Sequence, residues 1–197
     1  MLGYVLLVYL LIYFAVAFVL PSYRVWKRTN VNPVTFRGAD TAHDYIGKLF
    51  KIVMASLTAA VIIYVFTPEI YSFLLPVVWL ENRTTHFTGI VLLMLSLGWT
   101  VLAQIQMGNS WRIGIDEEKE TALVQSGLFR FSRNPIFLGM IVTLAGVFLI
   151  IPNALTLLFL VLGFVLIQIQ VRLEEEFLAQ AHGTEYENFK REVRRWF

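Results

Sequence analysis

Charged residues are missing from four long stretches of the chain: Met1 to Leu20, Ile52 to Pro68, Thr84 to Trp111 and Asn134 to Val171. The last runs for 38 residues, enough for two bilayer crossings at ~20 apolar residues each. Pro152-Asn153 near its middle is a turn signal. The stretch therefore predicts a helical hairpin whose two ends return to one membrane face. In all, the pattern predicts five spanning helices, at about 3–20, 47–67, 86–107, 135–151 and 154–173. Between the second and third, Ile70 to Leu80 is too short to cross and is broken by Pro76, which predicts an interfacial or re-entrant segment. From Thr184 onward Tyr186, Phe189, Val193 and Trp196 recur on one helical face, with Lys190, Arg191, Arg194 and Arg195 largely elsewhere. That pattern predicts an amphipathic helix at the cytoplasmic interface.

Composition agrees with a membrane solvent. The chain of 197 residues is 57% apolar with a mean hydropathy of +0.66, whereas soluble domains run at ~45–50% apolar. The expected fold is an all-α integral membrane protein of one domain, residues 1–197. It divides into N-terminal helices with a short interfacial segment (1–85) and a C-terminal core (86–197). The first apolar stretch lacks a basic leader and a small-residue cleavage site, so it reads as a retained helix. There is no cysteine, which excludes disulfides, a thiolate nucleophile and a cysteine zinc site. His43, His86 and His182 are scattered without ligand spacing, so no metal is expected.

The net charge of +2 does not point to nucleic acid, because the basic residues lie beside the apolar spans. Fifteen of the 16 basic residues fall in the first loop, the third loop and the tail; Arg83 alone sits in the second loop. The positive-inside rule then places the N-terminus outside and the C-terminus in the cytoplasm, and an odd number of crossings satisfies it. A prokaryotic inner membrane is the expected home. Asp116, Glu117, Glu118 and Glu120 form an acidic run in the third loop that reads as a solvated turn.

The two ends of the predicted hairpin carry the densest polar patterns: Arg130-Phe-Ser-Arg-Asn-Pro135 before it and Arg172-Leu-Glu-Glu-Glu176 after it. Pro135 suits the first position of a helix. The positive end of that helix, with Arg130 and Arg133, suits a carboxylate. Glu174 and Glu175 suit an ammonium, while Glu176 falls on the face left for solvent. A site with both signs fits a zwitterion such as an amino-acid head group. The plainer readings are that Arg130 and Arg172 serve topology or reach lipid phosphates, and that Gln104, Gln106, Gln168 and Gln170 make interhelical hydrogen bonds.

These residues resemble the integral membrane methyltransferase family that includes isoprenylcysteine carboxyl methyltransferase and phospholipid methyltransferases. The resemblance rests on Gly108-Asn-Ser-Trp-Arg112 and Leu123-Val-Gln-Ser-Gly-Leu-Phe-Arg-Phe-Ser-Arg-Asn-Pro-Ile-Phe-Leu-Gly139. It continues through Glu174-Glu175-x-x-Leu178, His182-Gly-Thr-Glu-Tyr186 and Val193-Arg-Arg-Trp196, covering about residues 95–197. It implies S-adenosylmethionine as methyl donor. The implied cofactor residues are Gly127, Leu128, Phe129, Arg130, Arg133, Asn134, Pro135, Gly139, Glu174, Glu175 and Tyr186, within a cytoplasmic cap. Among them Glu175 and Asn134, together with Arg172, would carry the reaction. Trp111, Arg112, Gln170 and Arg172 would face a lipophilic acceptor entering from the bilayer, an isoprenylcysteine carboxylate or another lipid or thiol. Two positions depart from the family: its Arg-His-Pro reads Arg133-Asn134-Pro135, and an arginine that the carboxyl methyltransferases carry four residues before the glutamate pair is Gln170.

Two other function classes compete. Membrane sterol reductases carry a related C-terminal pattern and use NADPH, but this chain has no Gly-x-Gly-x-x-Gly loop. A scaffold or transporter would fit the hydrophobicity, although no charge lies well inside a predicted span.

Overall fold

Proline 21 shapes the first helix. The computed structural model describes residues 2–35, 41–114 and 122–197, and its first helix, α1, runs through Leu2–Thr29, nine residues beyond the expected end at 20. Proline has no N–H to offer the carbonyl four residues back. The ladder adapts by widening into a π-turn over Ala15–Val19, with the Leu20 N–H on the Ala15 carbonyl. The Ala17 carbonyl that Pro21 cannot serve accepts instead from Gln104 Nε2 at 2.6 Å. A helix in lipid must satisfy its own backbone; here a neighbouring side chain completes the ladder.

The other helices start where their caps are. α2 (Ala42–Phe66) begins after Thr41, whose hydroxyl accepts from the Asp44 N–H, five residues before the expected start. α3 (Arg83–Met107) begins after Asn82, whose side chain accepts from the Thr85 N–H. α4 (Pro135–Ile150) starts at its proline as the sequence predicts. α5 (Ala154–His182) passes the glutamates without a break and stops at Gly183, whose φ is +51°. α6 (Thr184–Glu192) closes the helical part of the chain.

Among the described residues four helices, α1, α2, α3 and α5, are long and apolar enough to cross a membrane. The fourth predicted span, α4, has 16 residues; at 1.5 Å per residue it is ~24 Å long, short of a ~30 Å hydrocarbon core. It packs most extensively on α3. A Cβ on Gly89 of α3 would meet the Gly146 carbonyl of α4 at 3.0 Å, so the two backbones meet through paired glycines. The acidic run at 116–120, with Arg37 and Lys119, lies outside the described residues.

The turn between α4 and α5 is built by Asn153. Its side chain accepts from the Thr156 N–H at 2.9 Å and donates to the Ile151 carbonyl at 3.0 Å, and the residue is fully buried. The segment at 70–80 forms short turns that bond to this hairpin, Val77 N–H to the Pro152 carbonyl and Ala154 N–H to the Leu75 carbonyl. It leaves Phe73, Leu75, Val78 and Trp79 exposed, as an interfacial segment would. Gly3 packs on Tyr64 and Val65 at the end of α2, next to the start of that segment. The hairpin therefore does what its pattern predicts and returns both polar ends to one side.

Two buried apolar clusters result. The larger lies between the spans and includes Leu6, Leu57, Val61, Val147 and Leu166. The smaller, at the end opposite the hairpin turn, joins Ala103, Phe129, Tyr186 and Phe189. Tyr186 and Phe189 thus put the apolar face of α6 against protein. The helix ends at Glu192, so Val193 joins this cluster from extended backbone and Trp196 is not on the helix.

Candidate functional site

Glu175 is the centre of the polar end. It lies on α5 and is 6% exposed, where an uncompensated charge is costly. Two arginines and an asparagine compensate it. Oε1 accepts from Arg133 Nε at 3.2 Å and Nη2 at 2.9 Å, from Asn134 Nδ2 at 3.2 Å and from Arg195 Nε at 3.1 Å. Oε2 accepts from Arg195 Nε at 3.1 Å and Nη2 at 2.7 Å. The hydrogen bonds it donates to Glu175 hold the Arg195 guanidinium above its ordinary range. Nearby, burial pushes the Tyr186 phenol up, and the Glu175 charge adds to it.

Arg133 and Asn134 arrive through the loop that precedes α4. Gly127 turns that loop with φ +65°, and a Cβ there would collide with the Gln106 side chain at 2.4 Å. Gln106 Oε1 occupies that space and accepts from the Leu128 N–H at 2.7 Å. Phe129 is buried against Ala103 and Tyr186. The Ser132 hydroxyl accepts from the Asn134 N–H and donates to the Arg195 carbonyl. Arg133 Nη1 donates to the Val193 carbonyl at 2.6 Å and the Lys190 carbonyl at 3.1 Å. Pro135 accepts through its carbonyl from Trp99 Nε1 at 2.9 Å.

Glu174, one residue earlier on α5, is half-buried and accepts from Gln170 Nε2 at 3.0 Å. A carboxylate only accepts, so the amide must turn its nitrogen to Glu174. That leaves the Gln170 Oε1 buried and without a partner. Two neighbouring side chains on α5 thus keep oxygen lone pairs to spare. The Tyr186 hydroxyl is a second buried polar group without a partner, and buried groups of this kind call for a water or a ligand.

The remaining sequence-predicted residues fall into four places. Arg130 is exposed on the loop before α4. Gly139 is buried one turn into α4, where a Cβ would meet Thr100 Oγ1 at 2.2 Å, so it serves the contact with α3. Arg172 is exposed and turns its Nη1 back to the Gln168 carbonyl at 2.6 Å. It borders an open groove of about 430 Å³ that Glu175, Glu176, Lys190 and Arg195 also line. Trp111 is buried and Arg112 donates to the carbonyls of Asn109 and Trp111. These two sit beside the segment that follows α1, where Ile113 pairs with Val34 and Thr35.

The structure thus gathers Arg133, Asn134, Glu174, Glu175, Gln170 and Tyr186 at one end. Sequence reasoning missed Arg195 and Ser132 as parts of that end, and expected of Gln106 an interhelical hydrogen bond where it accepts from the loop at Leu128. By sequence Arg195 is one of the topology charges; the signal for more is the Val193-Arg-Arg-Trp196 piece of the resemblance. Among the described residues no group of acidic and histidine side chains has the arrangement to hold a metal ion.

A sequence model described as phospholipid methyltransferase matches residues 84–185, just over half of the chain. No curated protein matches, and no solved structure matches.

Proposed function

The chain belongs to the phospholipid methyltransferase family, a family of membrane methyltransferases, and from that premise we propose that it transfers a methyl group from S-adenosylmethionine to a lipophilic acceptor. One observation carries the reading beyond the family. Glu175 on α5, Arg133 and Asn134 before α4, and Arg195 in the tail are joined in one hydrogen-bonded network, although Asn134 and Glu175 lie 41 positions apart.

The donor set fits the cofactor's head group. Glu174 and the unpartnered Gln170 Oε1 offer acceptors to an ammonium, which has three donors. Arg130 and the turn at Gly127, Leu128 and Phe129 lead into α4, whose N-terminal dipole favours a carboxylate. When bound, the cofactor supplies an electrophilic methyl on a sulfonium. The residues of this chain bind, orient and exclude water. The buried Phe129, Tyr186 and Phe189 cluster shields the site from solvent, and catalysis comes mainly from positioning and desolvating two reactants. No covalent enzyme intermediate is required.

The acceptor enters from the bilayer in this reading. The groove beside Arg172 continues an exposed stripe of α5 formed by Leu158, Leu162, Val165 and Ile169, so a chain in lipid has an apolar path to the polar end. Arg172 steers the acceptor there, with Trp111 and Arg112 farther along the same end. The polar end faces the cytoplasm, where the positive-inside rule puts it and where a charged cofactor is at hand. A thermal-shift comparison tests the reading: S-adenosylmethionine or S-adenosylhomocysteine stabilises the purified protein and NADPH does not. Stabilisation by NADPH alone would replace this proposal with a reductase.

A further inference from the structure

The last residues of the chain are tied to the entry of α4 through their backbone. A carboxylate has about four lone-pair positions, and Arg133, Asn134 and Arg195 fill those of Glu175. That leaves Glu175 little capacity for a ligand ammonium, whereas among the described residues Glu174 accepts from Gln170 alone. Beyond α6 the chain is extended at Val193 and lies across residues 132–134. The carbonyls of Lys190 and Val193 accept from the Arg133 side chain, and that of Arg194 accepts from the Arg133 N–H at 3.1 Å. The carbonyl of Arg195 accepts from the Ser132 hydroxyl at 3.1 Å and from Asn134 Nδ2 at 3.4 Å. Phe197 rests against Trp99, ring centroids 6.0 Å apart, and Trp99 in turn donates to the Pro135 carbonyl.

This strap has one side-chain anchor with a full charge. Arg195 grips both oxygens of Glu175, a bidentate contact of the strong kind. We propose that Arg195 is a positioning residue of the methyl-transfer site: by clamping Glu175 it docks the strap 193–197 across the entry to α4, and the docked strap sets Arg133 and Asn134 in place. Glu175 is then the anchor of the pair, and Glu174 stays open to the ligand. The inference rests on the reading of this end as the cofactor site, and adds to it a part that the chain's last residues play.

The chain has no cysteine, so Arg194→Cys introduces a single labelling site. Residue 194 is exposed and bonds to Arg133 through its carbonyl. A nitroxide placed there reports the strap by its electron paramagnetic resonance line shape, and calorimetry with S-adenosylhomocysteine reports the site. In the chain carrying only Arg194→Cys the label is expected to be restrained. Arg195→Gln frees it and raises the Kd about 10- to 100-fold, the size of a lost charge-assisted contact; Arg195→Lys, which keeps the charge, recovers part of both. An unchanged line shape in Arg195→Gln overturns the docking role. A freed label with unchanged affinity overturns the positioning role, as does a loss of affinity that Arg195→Lys fails to reduce. If the unsubstituted protein does not bind S-adenosylhomocysteine, the cofactor reading fails and the positioning role with it, while the line shape still decides whether Arg195 docks the strap.

Discussion

Replacing Glu175 by glutamine separates the stability of the polar end from its ligand chemistry. The substitution keeps the size of the side chain but leaves two guanidinium groups facing an amide. Removing one partner of a buried ion pair costs ~3–5 kcal/mol. The lower end applies here, because the Arg195 side chain is 31% exposed and rehydrates, and because Arg133, at 8%, keeps two carbonyl partners. A loss of ~3 kcal/mol follows for Glu175→Gln. Glu174→Gln is different in kind: the amide oxygen still accepts from Gln170, and losing the charge on that bond costs ~1 kcal/mol or less. Its larger effect is on the ligand, where losing a charge-assisted contact of ~1.5–3 kcal/mol weakens cofactor binding roughly 10- to 150-fold. Thermal unfolding in detergent and calorimetry with S-adenosylhomocysteine measure the two. The reasoning is refuted if Glu174→Gln is the less stable variant, or if Glu175→Gln melts with the unsubstituted protein.

Three further outcomes are expected. Gln104→Leu removes the donor to the Ala17 carbonyl and lowers stability by ~1–2 kcal/mol; Pro21→Ala restores a backbone N–H at that carbonyl, so the double variant loses less than the sum, and strict additivity in thermal melts contradicts the account of the π-turn. Gly139→Val collides with Thr100 and costs ~1–3 kcal/mol, a loss that Thr100→Ala reduces; equal melting with and without Thr100→Ala argues against the close approach. Reporters fused after Phe197 and inserted at Glu81 are expected to read cytoplasmic and outside respectively, and a cytoplasmic signal at Glu81 reverses the orientation.

The spans and the hairpin were legible because lipid imposes a strong rule: long uncharged runs must be helices. The helix starts at Pro135 and Thr184 were legible from local signals, as was the turn at Asn153. Caps explain the earlier starts at Thr41 and Asn82, each a short polar side chain whose acceptor is decisive only once the chain direction is known. The extension of α1 through Pro21 was not legible, because the Ala17 carbonyl that the proline leaves open is served by Gln104, 87 positions from Ala17. The same holds for the polar end. Periodicity could bring Asn134 and Glu175 to one side, yet the role of Arg195 depends on tail carbonyls that carry no side-chain signature. Sequence reasoning assigned the arginine to topology because a charge at a membrane boundary already has that explanation. Gly139 shows the converse, a residue implied at the cofactor whose visible work is to let α4 approach α3.

The central claim is that this polar end binds S-adenosylmethionine and delivers its methyl group to a molecule held in the bilayer. Transfer of labelled methyl from S-adenosylmethionine tests it most directly, using purified protein in liposomes with a panel of phospholipids, prenylcysteines and prenylated thiols, beside water-soluble analogues of each. The account predicts label in a lipid-phase acceptor, reduced at least tenfold by Glu174→Gln and lowered by Arg172→Ala. Label appearing only in water-soluble acceptors, or at an undiminished rate in Glu174→Gln, would contradict it.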